Sequence, residues 1–140
     1  MRVIMILAAV LLAVVLGTVG VAYIWWRANG EELVEAGRQA TEEGREFGAT
    51  SDNPGCVAAA FERLADCDGF LCELPVRFFL SGCLVSSEAT PSFCTGVPSQ
   101  REILGTVRWR AVVCAAAQRP SGGSCGRVLG SVQDFCFPDS

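Results

Sequence analysis

The 140-residue chain contains no histidine and no lysine, and all 11 of its cationic side chains are arginine. Without histidine it cannot supply a Ser-His-Asp or Cys-His catalytic pair, a His-ligated metal or haem, or an imidazole pH switch. Without lysine it has no Walker A lysine and cannot form a protein Schiff base. Basic charge is short as well: the formal net charge is −4, whereas nucleic-acid binding requires a basic surface. No carboxylate pair or activated nucleophile stands out. The expectation is therefore a non-enzymatic protein with no cofactor, no metal and no nucleic-acid partner.

Long apolar runs are confined to one place. Residues 1–26 hold 22 apolar side chains, and Val3 to Trp26 form 24 consecutive positions without a charge. As a helix these would cover roughly 36 Å, enough to cross a hydrocarbon core of about 30 Å with some tilt. Tyr23, Trp25 and Trp26 close the segment and Arg27 comes next, the order expected where aromatic rings occupy the headgroup layer and a cation snorkels into it. Ala9, Ala13 and Gly17 recur every four residues, the spacing of a flat helix-packing stripe. A cleaved signal peptide is the rival, with Arg2 as its charged region, Val3–Leu16 as its apolar region and Gly20-Val21-Ala22 as its cleavage site. Residues 1–27 are expected to be a signal-anchor, with that alternative open, and both readings export the remainder of the chain.

Residues 28–50 form a connecting stretch. Six glutamates and two arginines fall between Glu31 and Phe47, which reads as a polar helical stalk. Ala36, Ala40, Gly44 and Gly48 recur at a spacing of four, on one face, and would permit close approach of another helix, including one from a second copy. The alternative is a solvated, partly frayed stalk, since each helical glycine costs about 1 kcal/mol relative to alanine. Residues 49–55 are rich in turn formers, and Asn53 before Pro54 reads as an N-cap with proline opening a helix. The exported domain, 51–140, is expected to start there.

That domain holds all eight cysteines: Cys56, Cys67, Cys72, Cys83, Cys94, Cys114, Cys125 and Cys136. Five of the seven intervals between neighbours are 11 residues, close to three helical turns, so cysteines at that separation point the same way, about 16 Å apart. Val57, Ala60, Phe61 and Leu64 continue one apolar helix face, and Val76, Phe79 and Leu80 another. Cys56–Cys67 and Cys72–Cys83 are arms of equal length around Asp68-Gly69, a strong turn signal. Folded as an antiparallel hairpin, they pair Cys67 with Cys72 and Cys56 with Cys83. Pro75 is expected to delay the second helix until about Leu74. This hairpin resembles, in geometry, the twin-cysteine hairpins of the coiled-coil-helix-coiled-coil-helix proteins. The likeness covers Cys56 to Cys83 only, and that family has nine residues between the cysteines of an arm where this chain has ten.

The second half repeats the pattern less regularly. Ser99-Gln100-Arg101-Glu102 matches a capping box, and Ile103, Leu104, Val107, Ala111 and Cys114 succeed it at helical spacing, as a core face. A last helix is expected over about 124–135 through Val128, Leu129 and Val132. Cys114 and Cys125 flank the intervening break and can pair across it, leaving Cys94 with Cys136; Cys83 with Cys94 is the rival. The fold expected is all-α: a transmembrane helix, a polar stalk and a disulfide-stapled bundle of about four short helices.

Other chemistry has less behind it. Thiol redox activity lacks a Cys-x-x-Cys pair and a cation suited to lowering a thiol pKa; zinc lacks a second close cysteine pair. Asp66, Asp68 and Glu73 hint at calcium but do not complete an EF-hand, which favours a solvated acidic turn. Arg108-Trp109-Arg110 could meet an anionic or aromatic partner, although Trp109 fits a core position better. The expected role is an accessory or interaction module beside a membrane, with the amino terminus cytoplasmic and the cysteine-rich domain in an oxidising compartment: a periplasm, the cell exterior or an intermembrane space. Its expected contacts are the membrane and a protein partner or a second copy. The alternatives are a secreted cysteine-rich binder and a membrane-tethered thiol-disulfide protein.

Overall fold

In the computed structural model, which describes residues 2–65, 67 and 69–138, the chain is all-α. Six helices are described: α1 Arg2–Gly48, α2 Asn53–Arg63, α3 Phe70–Ser86, α4 Ile103–Ala116, α5 Ser124–Val128 and α6 Gly130–Cys136. The chain divides into two compact units, one reaching to Glu35 and the other beginning at Ala36.

The first unit is the longer, amino-terminal part of α1, ending at Glu35. Ile4–Ala28 is long and apolar enough to cross a membrane, and its most apolar window is unburied. Nothing lies against a Cβ built at Gly17 or Gly20.

The second unit begins with the rest of α1, so the stretch read as a stalk contributes its last three to four turns to the cysteine-rich fold. Ala40, Gly44 and Gly48 are buried there, as is Gly37, while Ala36 is exposed. The helix they meet is α3 of the same chain, not a second copy. A Cβ on Gly44 would overlap the Phe79 carbonyl oxygen, one on Gly82 would overlap that of Thr41, and one on Gly48 would stand 2.5 Å from that of Cys83. Glu42, Glu43 and Glu46 lie on the solvated side. Phe47 packs on Phe79 with ring centroids 5.7 Å apart, and Arg63 of α2 reaches both the Phe79 ring face and, at 2.8 Å, Glu43.

The turn into α2 differs from expectation by one residue. Asp52, not Asn53, is the N-cap, its carboxylate accepting the Gly55 N–H at 2.8 Å. Asn53 is buried inside the first turn. Its amide donates to the Ser87 hydroxyl at 2.9 Å and accepts the Thr90 N–H at 2.8 Å, tying the start of α2 to the end of α3. Helix α3 begins at Phe70, earlier than Leu74, with Pro75 inside it. At the sixth position only one backbone hydrogen bond is forfeited, that to the Leu71 carbonyl, which the packing of a 17-residue helix outweighs.

The core gathers Cys56, Ala60, Leu64, Val76, Phe79, Leu80, Cys83, Leu84, Val128, Leu129 and Val132. The expected last helix is two pieces, α5 and α6, broken at Leu129, which lets Val128, Leu129 and Val132 all turn inward. Before α4, the Glu102 carboxylate accepts the Ser99 N–H and hydroxyl, both at 3.1 Å, so half of the capping box forms. The helix itself starts only at Ile103.

Candidate functional site

Four disulfides frame the second unit: Cys56–Cys83, Cys67–Cys72, Cys94–Cys136 and Cys114–Cys125. The structure thus brings together the same residues that the two nested hairpins pair, and Cys83 does not meet Cys94. The first bridge is fully buried between α2 and α3, where Cys56 and Cys83 have no exposed surface. Cys67–Cys72 closes the turn between those helices, with Cys72 exposed. All eight sulfurs are bonded, leaving no thiolate for zinc or for nucleophilic attack while the bridges stand. Four bridges in one small unit mark an oxidising compartment.

The residues expected at a membrane interface lie on α1. Tyr23, Trp25, Trp26 and Arg27 are exposed, and their positions spread the rings around the helix, not along one side. The Trp26 ring lies over Gly30, whose Cβ would touch it at 3.3 Å.

Glu73 overturns the expectation of a solvated acidic turn. It is only 1% exposed. Arg127, 54 residues later on α5, donates Nε to Oε2 at 2.6 Å and Nη2 to Oε1, and the Ser124 hydroxyl donates to Oε1 at 2.7 Å. These bonds hold the Glu73 carboxyl below its ordinary pKa, the Arg127 bond foremost and against the opposing effect of burial. Asp66 and Asp68, the other members of the suspected calcium cluster, lie outside the described residues.

Two more arginines are committed to structure. Arg119 donates to the carbonyls of Phe61 at 2.7 Å and Leu64 at 3.2 Å, capping the C-terminal end of α2 where helix carbonyls lack partners. Arg110 donates Nη2 to the Gln133 side-chain oxygen at 2.7 Å. Gln133, fully buried, donates in turn to the Pro98 carbonyl at 2.9 Å and the Thr106 hydroxyl at 3.0 Å. The Arg108-Trp109-Arg110 run is therefore split: Trp109 packs against the core, Arg110 faces Gln133 and Arg108 is exposed.

The same network decides which side of α4 faces inward, and it reverses the expected core face. Thr106, Trp109, Arg110 and Val113 are part-buried, whereas Ile103, Leu104 and Val107 are 74%, 85% and 63% exposed. Of the expected stripe, only Cys114 is fully buried, through its bridge to Cys125. Ile103, Leu104 and Val107 form an apolar patch on the first two turns of α4, edged by the exposed Arg101 and Arg108, that the second unit leaves uncovered.

No protein-family model, curated protein or solved structure matches the chain.

Proposed function

We propose that the chain is a single-pass membrane protein whose amino-terminal helix anchors a disulfide-stapled helical module in the oxidising compartment, where the module serves as a non-enzymatic interaction partner. The observation that carries this reading is the pairing of two opposite features in one chain. Ile4–Ala28 is an apolar helix whose most apolar window is unburied, an exposure that water penalises at about 25 cal/mol per Å² of apolar surface. The second unit, by contrast, is closed by four bridges that reducing cytosol would not sustain. The amino terminus is cytoplasmic in this arrangement, the aromatic residues Tyr23, Trp25 and Trp26 sit at the outer headgroup layer, and the patch of Ile103, Leu104 and Val107 on α4 is the surface offered to a protein partner.

The test is the fate of the full chain in a membrane. Carbonate-resistant membrane association, an intact amino terminus by mass spectrometry and protease access to the module from the non-cytoplasmic side are the expected results. Loss of about 22 residues would make the product a secreted binder instead, and a soluble intact chain would refute both. Rapid, reversible reduction of one bridge with the fold preserved would favour thiol-disulfide exchange over simple adhesion.

A further inference from the structure

Two arginines of the second unit converge on one glycine. Arg77 of α3 and Arg110 of α4 each bring Nη2 towards Gly130, the first residue of α6: a Cβ built there would lie 3.9 Å from one and 3.7 Å from the other. The Nε of each is buried without a hydrogen-bond partner, and among the described residues these are the only two such buried side-chain atoms. Buried N–H groups are ordinarily paired, so two unmet ones on arginines that both approach Gly130 are a strong departure, even though the Arg110 Nη2 itself donates to Gln133 at 2.7 Å.

Among the described residues, the surrounding carboxylates do not answer the charge. Glu73 lies one turn before Arg77 on α3, but its two oxygens take Arg127 and Ser124. Asp134 attracts Arg110 at a distance, yet its side chain accepts the Gln100 amide. Among the described residues, Arg77, Arg110 and Arg127 thus set three positive charges against the two negative ones of Glu73 and Asp134. The crowding is felt: burial first, and the neighbouring Arg77 charge second, lower the pKa of Arg110, with Asp134 opposing. Elsewhere in the unit arginine is used economically, Arg63 on Glu43 and Arg119 on two carbonyls.

We propose that Arg77 and Arg110 form a binding site for one phosphate-type oxyanion, held between the two guanidinium groups over Gly130. A guanidinium is a planar fork, and one fork uses both oxygens of a carboxylate; the three terminal oxygens of a phosphate monoester can serve two forks at once. Both arginines are half-buried, with the Nε atoms themselves covered, and the protein around their exposed part strengthens the attraction for an anion. A side chain at Gly130 would touch the Nη2 atoms of both arginines. Free phosphate and the monoester headgroup of a lipid present the same oxygens, and the site recognises those. It stands apart from the proposed membrane role, because a soluble anion would occupy it equally well.

The experiment is calorimetric titration of the full chain in maltoside micelles. Inorganic phosphate is one probe and short-chain phosphatidic acid in the same micelles the other, each against chloride at matched ionic strength. Saturable one-to-one binding of either probe is expected, weakened at least about tenfold, or about 1.4 kcal/mol, in Arg77→Gln and Arg110→Gln. Binding of phosphate alone identifies a soluble anion, and of phosphatidic acid alone a headgroup. Gly130→Ala, whose methyl meets both guanidinium groups at ordinary contact distance, should fold normally and lose binding, which keeps the test decisive where an arginine variant misfolds. No saturable heat with either probe, or equal binding by the folded variants and the parent chain, overturns the proposal.

Discussion

Gly44 of α1 and Phe79 of α3 meet backbone to backbone, so that a Cβ on the glycine would overlap the Phe79 carbonyl oxygen. Gly82 stands in the same relation to Thr41 from the opposite helix. Two helices this close gain dispersion contacts and Cα–H···O interactions that larger residues forbid. Gly44→Ala and Gly82→Ala should therefore each cost about 1–3 kcal/mol through overpacking, despite alanine's better helix propensity. Gly122→Ala, which meets nothing within 4 Å, is the control and should stay within about 0.5 kcal/mol of the parent. Urea denaturation of the three variants decides the matter, and equal stability of all of them would refute the close seam.

This seam shows what local pattern can and cannot convey. The four-residue spacing of Ala40, Gly44 and Gly48 marks a face built for close approach, but spacing cannot name the partner, which lies more than 30 residues away on α3. The cysteines were legible for a related reason: 11-residue intervals are set by helix geometry, and equal arms around a short turn have one natural closure. Glu73 was illegible, because its partner Arg127 is brought near only by the packing of α5 on α3. On α4 the pattern misled, since an inward Thr106 and Arg110 look like a solvent face until the Gln133 side chain supplies a hydrogen bond to each. At Asp52 and Asn53 two good capping residues are adjacent, and only the demand of the distant Ser87 and Thr90 for hydrogen bonds separates their roles.

The bridges should differ in worth according to the chain they close. Cys94–Cys136 spans 42 residues and Cys67–Cys72 only 5. In the loop-entropy account the first restricts the unfolded chain by about 4 kcal/mol and the second by about 2 kcal/mol. Replacing both members of each pair by alanine and measuring denaturation midpoints should reproduce that order. Under mild reductant the exposed Cys72 should make Cys67–Cys72 the first bridge to open, and the buried Cys56–Cys83 the last, as read by time-resolved alkylation and mass spectrometry. Opening of Cys56–Cys83 first would contradict its burial.

Acid should act on the module through Glu73. Its pKa in the folded state is lowered, chiefly by the Arg127 hydrogen bonds, so the unfolded chain binds this proton more readily than the folded one. The contribution is fully present above the ordinary glutamate pKa, near 4.5, and is lost as the pH falls through the lower folded value. Stability measured from pH 7 down to pH 3 should hold and then decline below about 4.5. Glu73→Gln should flatten part of that decline at some cost at neutral pH. Arg127→Ala should be worse than Glu73→Gln at neutral pH, because it leaves the buried carboxylate with only Ser124. A parent chain and Glu73→Gln with superimposable acid limbs would show that Glu73 has no part in the acid response.

Leu80 and Leu104 place the surface assignment at risk most directly. Leu80 has no exposed surface and Leu104 has 85% of its surface exposed, although both are leucines at helical spacing among apolar neighbours. Leu80→Ala should cost about 2–5 kcal/mol, the transfer free energy of the lost methyl groups plus that of the cavity left behind. Leu104→Glu removes no packing and should change stability by no more than about 0.5 kcal/mol, while abolishing adhesion through the α4 patch. The two measurements separate folding from function: a folded Leu104→Glu protein that still binds whatever partner the parent binds would move the contact surface elsewhere. A large loss of stability in that variant would instead show that the patch is covered within the protein, and that the apolar stripe from Ile103 to Val107 is core after all.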